Sequence, residues 1–380
     1  MDIFYVFFLR LISYLEGNEK IIATIVLFSC LIIHILWLNS WKINLKKQDL
    51  YPILVVLYML VHSMIFSEIT LQLLGILISY FLWYFFFKNK FKNKSIYTAI
   101  QFLVYSFTIY NLINFIWYKI EYAHLRTGIN TTLSLFNIVA YRVNFPMASG
   151  LTINSIQIGL TSLLTLYLIK NSSRFSTNFF FTILYFWNIY LLVVLDSRSP
   201  LVISLVLGII VGFGLRNIIS LITRYWIMLA ILAIFIVYIF YNTDIFESIK
   251  RPGELKADYF KRPKIWELAI THTFDDLRFL FGHGINSFGN MISHQNENLH
   301  TTHNVFLQVL HDFGIFGILI MGFFLYKTMT ILLKRKDLNL TVIFISFFLY
   351  GCLESVPSYY TFTPTLIFIP LLVIIYNINE

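Results

Sequence analysis

The feature that most constrains this chain is a succession of apolar runs long enough to cross a lipid bilayer. A transmembrane helix needs about 20 predominantly apolar residues, because the hydrocarbon core of a bilayer is about 30 Å thick. Eleven runs of roughly that length are found at 20–41, 51–66, 69–87, 95–118, 151–169, 178–195, 200–215, 225–241, 304–326, 339–356 and 365–378. The chain is therefore predicted to be an all-α polytopic membrane protein, a bundle of about 11–12 transmembrane helices.

Composition excludes the main soluble classes. The chain is 58% hydrophobic and only 12% charged, whereas soluble domains are about one quarter charged. Its two cysteines, Cys30 and Cys352, lie inside apolar runs and cannot form a disulfide framework. The first 20 residues lack a basic segment followed by a cleavage site, so no removable signal peptide is expected. Within them, 3–15 could be a twelfth span or an interfacial helix.

The basic residues predict the orientation of the chain, because Lys and Arg accumulate in cytoplasmic loops. Alternate loops form one set with 15 basic and 2 acidic residues and another set with 11 of each. The first set is predicted to be cytoplasmic, so the long loops 119–150 and 242–303 should face outward. The net charge of +9 then reflects this bias, and no nucleic-acid partner is expected. Residues 1–380 are predicted to form a single integral membrane domain.

The most informative polar segment, 301–320, leads into the ninth apolar run. Thr301 or Thr302 is expected to cap this helix, which would place His303 in its first turn. The partial positive charge of a helix N-terminus disfavours imidazolium, so His303 is expected to be neutral. A neutral histidine at a membrane surface can accept a proton from a hydroxyl group. Alternatively, His303 and Asn304 only satisfy the helix end at the headgroup level.

The segment just before it, 259–288, is predicted to contain a short interfacial helix. Pro263 suits the first turn of a helix, and an apolar face follows, formed by Ile265, Trp266, Ala269 and Ile270. Trp266 alone would equally suit a membrane-interface anchor. The FGHG turn, which contains His283, needs the conformational freedom of glycine.

Metal ligands are only weakly indicated in these segments. Asp275 and Asp276 form a lone acidic pair, and His300 and His303 are three residues apart with no third ligand fixed by spacing. No metal site is therefore predicted.

Three arginines are candidates for binding an anion on the outer side. Arg198 lies in the short DSRSP loop between two apolar runs, Arg142 lies just before the run that begins at 151, and Arg262 begins the interfacial helix. An arginine so close to the bilayer core is costly unless it pairs or holds a ligand. Arg198 could instead pair with Asp196 or reach outward to the headgroups. Guanidinium groups bind phosphate oxygens in a bidentate manner, so a pyrophosphate is the expected anion.

These residues resemble the O-antigen ligase and O-antigen polymerase (Wzy) superfamily. The resemblance covers about residues 140–325 and is most specific at 301–317. It depends on His303-Asn304, Leu307, Gln308, Gly314 and Gly317, on Trp266, Gly282, Gly284 and Phe288, on the Ser197-Arg198 pair, and on Arg142 followed by a proline. Gly314 and Gly317 would also allow close helix packing.

The resemblance implies an inverting glycosyltransferase that uses a polyprenyl-pyrophosphate-linked oligosaccharide and needs no metal or other cofactor. His303 would be the general base, Arg198, Arg262 and Arg142 would bind the pyrophosphate, and Asn304, His300, Trp266 and His283 would support the site. The segment 259–272 would cover it as a lid.

Within the superfamily, we expect a polymerase that joins repeat units into an O-antigen, capsule or exopolysaccharide. It would lie among the lipids of the bacterial inner (cytoplasmic) membrane, with its active site on the periplasmic side and a flippase and a chain-length regulator as possible partners. An O-antigen ligase or protein O-oligosaccharyltransferase is the close alternative. A flippase would favour charges within the spans and symmetric broken helices, and neither pattern is evident.

Overall fold

Ten α-helices make up most of the residues that the structure, a computed structural model, describes. It describes residue 30 and residues 46–66, 71–122, 130–133, 138–141, 151–195, 197–214, 261–275, 277–285, 287–289, 302–353 and 362–377. The helices are α1 (Leu50–Phe66), α2 (Leu71–Lys90), α3 (Ile96–Trp117), α4 (Leu151–Asn171), α5 (Phe175–Val194), α6 (Arg198–Phe213), α7 (Lys261–Phe274), α8 (Val305–Arg335), α9 (Leu338–Leu353) and α10 (Phe362–Asn377).

The predicted fold class, an all-α polytopic membrane protein, is confirmed. Nine of the eleven predicted spans fall on described residues, and each of the nine is a helix. The spans at 20–41 and 225–241, and the segment 3–15, lie outside the described residues. Among the described helices, Ile96–Ile120, Phe175–Val194 and Val305–Arg335 are individually long and apolar enough to cross a membrane.

One short hairpin interrupts the helical pattern in the described part of the 119–150 loop. Its strands, β1 (Asn130–Leu133) and β2 (Ile138–Tyr141), are antiparallel, with Leu133 opposite Ile138. Strand β2 packs against α5. The hairpin therefore places the chain that precedes Arg142 beside the helix that precedes Arg198.

The lysine-rich ends of the helices lie together at one end of the bundle. Asp49, just before α1, is fully buried and accepts hydrogen bonds from Lys88 and from the Tyr84 hydroxyl. Burial of the carboxyl raises its pKa, but the hydrogen bonds from Lys88, Tyr84 and the Lys46 amide outweigh burial and hold the pKa below its usual value. Ion pairing inside the protein thus fixes α1 against α2 at this end.

Helices α1–α4 and α8–α10 pack together at the centre of the bundle. Their buried side chains contribute to one large core that is rich in aromatic residues. Its largest fully buried members include Trp83, Phe107, Phe344 and Tyr350. Because lipid tails are as apolar as these side chains, close packing and interhelical hydrogen bonds hold such helices together. One example is the hydrogen bond of 2.7 Å between the buried hydroxyls of Ser204 and Tyr350, which joins α6 to α9.

Candidate functional site

The His-Asn pair lies at the start of α8, at the end of the bundle opposite the lysine-rich one. Asn304 is the N-cap of α8, and its side-chain oxygen accepts hydrogen bonds from the amides of Phe306 and Leu307, at 2.9 and 3.2 Å. The Asn304 side-chain amide also donates to the carbonyl of Cys352 at the end of α9, at 3.1 Å. The cap thus ties the start of α8 to a neighbouring helix.

The prediction that Thr301 or Thr302 caps this helix is therefore wrong. The Thr302 hydroxyl donates to the Asn304 carbonyl and accepts from the Asn304 amide, so it serves the turn before the helix. As a result, His303 lies one residue outside the helix rather than in its first turn.

His303 has an uncommon backbone conformation. Its φ is +52°, in the left-handed region that non-glycine residues rarely adopt. The side chain is half-buried. Such conformations persist only where the surroundings impose them, and they are concentrated at functional sites. The turn before α8 thus holds His303 in a strained backbone conformation at the end of the bundle opposite the lysine-rich one.

The turn that contains His303 is held by two hydrogen bonds to the backbone of Thr302. The Thr302 amide donates to the Gln308 side chain at 3.0 Å, and the Trp266 indole donates to the Thr302 carbonyl, also at 3.0 Å. Trp266 therefore has a more specific role than a membrane-interface anchor. It fixes α7 beside the candidate base.

Helix α7 confirms the short helix predicted after residue 259, with Pro263 in its first turn. Ile265 and Ala269 are buried against Phe288, and Trp266 packs beside them, as predicted for the apolar face. Ile270, also predicted on the apolar face, is 44% exposed and takes no part in this packing.

Helix α8 is kinked at Gly314, where φ is +65° and ψ is −163°. The kink releases two carbonyls from the helical ladder, and the FGHG turn satisfies them. The His283 amide donates to the His311 carbonyl at 2.9 Å, and the Gly284 amide donates to the Asp312 carbonyl at 3.0 Å. The expected role of Gly314 in helix packing is thus corrected: it admits a turn, because a Cβ there would lie 2.5 Å from the Leu280 carbonyl. At Gly317 a Cβ would meet Phe313 of α8 itself.

A buried polar network runs along α8 directly below the cap. Gln308 donates to the Asp312 carboxylate at 3.0 Å, and His311 Nδ1 lies 3.4 Å from the other Asp312 oxygen. All three side chains are at most 1% exposed. Gln308 belongs to the motif identified in the sequence, whereas the roles of His311 and Asp312 are evident only in the structure. Their i, i+3 and i+4 spacing on an apolar helix was the available signal.

The kink and the FGHG turn bring three histidines together. His272 of α7, His283 of the turn and His311 of α8 each place a ring nitrogen within 4.8 Å of the others. His283, expected to support the site, thus belongs to a cluster that the sequence spacing did not predict. The sequence indicates a second, weaker set of possible metal ligands: His300, His303, Asp275 and Asp276. His300 and Asp276 lie outside the described residues, and His303 and Asp275 do not form such a cluster among the described ones.

The structure describes the backbone of two of the three predicted arginines. Arg198 is the first residue of α6 and Arg262 the second of α7. Their side chains and the whole of Arg142 lie outside the described part of the structure. Next to Arg198, the buried Ser197 hydroxyl forms a hydrogen bond with Ser155 of α4.

Helix α4 also presents unpaired amides near this point. Asn154 and Gln157 are at most 2% exposed, and within the described ranges neither side-chain oxygen nor side-chain nitrogen has a hydrogen-bond partner. An unpaired buried amide is costly. These two groups are therefore positioned for partners that the described residues do not supply.

An apolar cavity of about 180 Å³ lies between α1, α2 and α8 to α10. Its wall begins near the cap of α8, at Val305 and Val309, and continues to Tyr84, next to Asp49 at the opposite end. The cavity thus runs along the bundle in the direction of the lipid tails.

Comparison with known families identifies this region. Residues 183–322 match the model of a family described as O-antigen ligase. Over these residues the chain is similar to the O-antigen ligase family. The resemblance predicted from the sequence is thereby confirmed, and the matched domain contains seven of the predicted site residues: Arg198, Arg262, Trp266, His283, His300, His303 and Asn304. Arg142 precedes it. A comparison with curated proteins found no match. The domain supports an activity of the O-antigen ligase or polymerase type on lipid-linked oligosaccharides.

Proposed function

We propose that this chain is an inverting glycosyltransferase that polymerises polyprenyl-pyrophosphate-linked oligosaccharide repeat units into a surface polysaccharide. The observation that carries the proposal is the match to the O-antigen ligase family at 183–322. Its most specific motif, His303-Asn304, lies at the end of the bundle opposite the lysine-rich one, in a turn held by Trp266 and Gln308.

His303 is proposed to act as the general base. An acceptor sugar hydroxyl attacks the anomeric carbon of the donor, the new glycosidic bond forms, and the bond from that carbon to the pyrophosphate oxygen breaks. The hydroxyl proton passes to the imidazole of His303, and polyprenyl pyrophosphate leaves with the electron pair. Attack from the face opposite the leaving group inverts the anomeric centre. General-base catalysis typically contributes about 10²–10⁴-fold to the rate.

The departing pyrophosphate needs fixed positive charge, which Arg198 and Arg262 are proposed to provide, with Arg142 assisting. Preorganised cations at a developing negative charge are often the largest contribution to catalysis. The position of Arg198 at the N-terminus of α6 adds the helix dipole to the charge of its side chain. Asn154 and Gln157 of α4 are suited to bind sugar hydroxyls near the same point.

The lipid part of the donor requires an apolar path, and the cavity beside α8 has the appropriate lining. It begins at Val305, two residues from His303, and its wall is almost entirely apolar. A polyprenyl tail lying there would keep its pyrophosphate at the level of the histidine. We propose that α7 covers this site as a lid, since Trp266 attaches it to the histidine turn.

A ligase that transfers the glycan to a lipid core or to a protein would use the same residues, and the description of the matching family favours it as the second candidate. We favour the polymerase, acting in the inner membrane with its site facing outward and with a flippase and a chain-length regulator as partners. The two activities differ in the acceptor. A polymerase needs only the lipid-linked repeat unit, whereas a ligase needs a different second substrate.

The test is a reaction of the purified full-length protein in nanodiscs with its lipid-linked repeat unit alone. A ladder of products on a gel is expected from the polymerase. Arg198→Lys and Arg262→Lys should each reduce the ladder, because lysine keeps the charge but loses the planar fork, and the alanine variants should reduce it further. Product that forms only after addition of a lipid core or protein acceptor would identify a ligase. Full activity of both alanine variants would remove these arginines from the site.

A further inference from the structure

We infer that His272, His283 and His311 form a transition-metal site that binds Zn²⁺. Their ring nitrogens lie within 4.8 Å of one another, although the residues come from α7, the FGHG turn and α8. The ring centroids of His283 and His311 are 5.0 Å apart, and that of His272 is 5.9 and 6.4 Å from them. Three imidazoles are a common ligand set for zinc.

The hydrogen bonds of His311 leave one of its nitrogens ready to bind a metal. Ser287 Oγ donates to the Gly284 carbonyl at 2.7 Å, so it accepts from His311 Nδ1, which lies 3.2 Å away. The Asp312 carboxylate, 3.4 Å from the same nitrogen, has no proton to donate and can only accept a hydrogen bond from it. Nδ1 therefore carries the proton, and Nε2 has the lone pair.

The environment of this nitrogen supports a ligand role. His311 is 1% exposed, and within the described part of the chain its Nε2 has no hydrogen-bond partner. The carboxylate on Nδ1 reproduces the carboxylate–histidine–metal arrangement that orients histidine ligands in metal sites. Asp312 is in turn held by Gln308 at 3.0 Å. The partners of Nδ1 thus fix the orientation of the His311 ring and leave Nε2 as the nitrogen that can bind the metal.

The geometry needs only side-chain adjustment to accept the ion. Zn–N bonds of about 2.0–2.1 Å in a tetrahedral arrangement place ligand nitrogens roughly 3.3 Å apart. The separations of up to 4.8 Å must therefore shorten by at most about 1.5 Å. His272, in the last turn of α7, can move by rotation of its side chain. A water molecule would complete the coordination.

The site is separate from the proposed catalytic base. His311 lies seven residues beyond the Asn304 cap, about 10 Å along the helix. An ion held there would fasten α7 and the FGHG turn to the kink of α8, three segments that are distant in sequence. It would thereby stabilise the platform on which the His303 turn is built, through Gln308 and Trp266. The inference does not depend on the glycosyltransferase assignment.

The experiment measures metal content and affinity in the full-length protein. The protein is purified through a non-histidine tag, treated with a chelator, dialysed with Zn²⁺ and analysed by mass spectrometry for bound metal. One Zn²⁺ per chain is expected, and Co²⁺ should give the absorption bands of a tetrahedral site. His272→Ala should lose stoichiometric binding without opening the core. Asp312→Asn should weaken Zn²⁺ binding by about 10–100-fold, as loss of an outer partner typically does.

His303→Ala is the matched control, since it removes a nearby histidine that the inference leaves out of the site, and it should retain one Zn²⁺. Each protein is checked by gel filtration, so a misfolded variant is recognised. Wild-type protein that binds no Zn²⁺ above the level of the His272→Ala variant would overturn the inference. So would loss of the ion in the His303→Ala variant with retention in the His272→Ala variant.

Discussion

Replacement of His303 separates the catalytic role of its side chain from the structural cost of its backbone. If the imidazole accepts the hydroxyl proton, His303→Ala and His303→Gly should both lower the rate of polymerisation by about 10²–10⁴-fold. At about 1.4 kcal/mol per factor of ten, this corresponds to roughly 3–5 kcal/mol of lost transition-state stabilisation.

Stability should follow the backbone instead. The φ of +52° costs a non-glycine residue about 1–3 kcal/mol. Glycine removes this strain but gains about 0.5–1 kcal/mol of unfolded-state entropy. Glycine also loses the contacts of the half-buried ring, which reduces the gain, so the free energy of unfolding of His303→Gly should lie between the wild-type value and about 2 kcal/mol above it. Alanine keeps the strain and loses the contacts of a half-buried ring, so His303→Ala should be slightly less stable than the wild type.

The assay compares initial rates of ladder formation with thermal unfolding of the same detergent-solubilised samples. The informative result is a glycine variant that is as stable as the wild type and inactive. A wild-type rate in either variant would refute the general-base role. A loss of activity that merely parallels a loss of folded protein would show that His303 acts only as part of the turn.

Two further predictions concern the kink and the orientation. Gly314→Ala should destabilise the protein by about 3 kcal/mol, because φ +65° with ψ −163° is a region essentially reserved for glycine and a Cβ would meet the Leu280 backbone. Gly322→Ala in the same helix is the control, since a Cβ there meets nothing within 4 Å, and equal melting temperatures for the two variants would contradict the role of the kink. For the orientation, a cysteine placed at Asn296, in a background without the native cysteines, should react with an impermeant reagent in intact spheroplasts, whereas one at Lys92 should not. The reverse pattern would invert the proposed topology.

Hydropathy predicted most of the transmembrane helices to within a few residues. The predicted run 95–118 is the helix Ile96–Trp117, and the run 151–169 is Leu151–Asn171. This succeeds because a membrane imposes the same requirement on every span: about 20 apolar residues whose backbone groups bond within the segment. The run 304–326 is the exception, since its helix continues past Lys327 to Arg335 and includes a further apolar stretch at 331–333.

The cap of α8 could not be chosen from the sequence. Thr302 and Asn304 are both good N-cap residues, and local propensity gives no strong preference. The choice of Asn304 also involves a hydrogen bond to the Cys352 carbonyl, 48 residues away. Local sequence patterns do not predict a contact between residues so far apart in the sequence. With Asn304 as the cap, His303 lies outside the helix.

The sequence by itself determined the membrane class, most of the spans and the family motif, because these depend on residue type and on spacing along one segment. Only the tertiary structure decided which side chains meet. The sequence predicts that His311 lies in an apolar span and that His272 and His283 lie apart from it in a long polar loop. They converge because Gly314 breaks α8 and the FGHG turn fills the gap, donating to the carbonyls of His311 and Asp312. A histidine cluster assembled from three distant segments follows from how backbone hydrogen bonds are satisfied at a kink, which no single segment encodes.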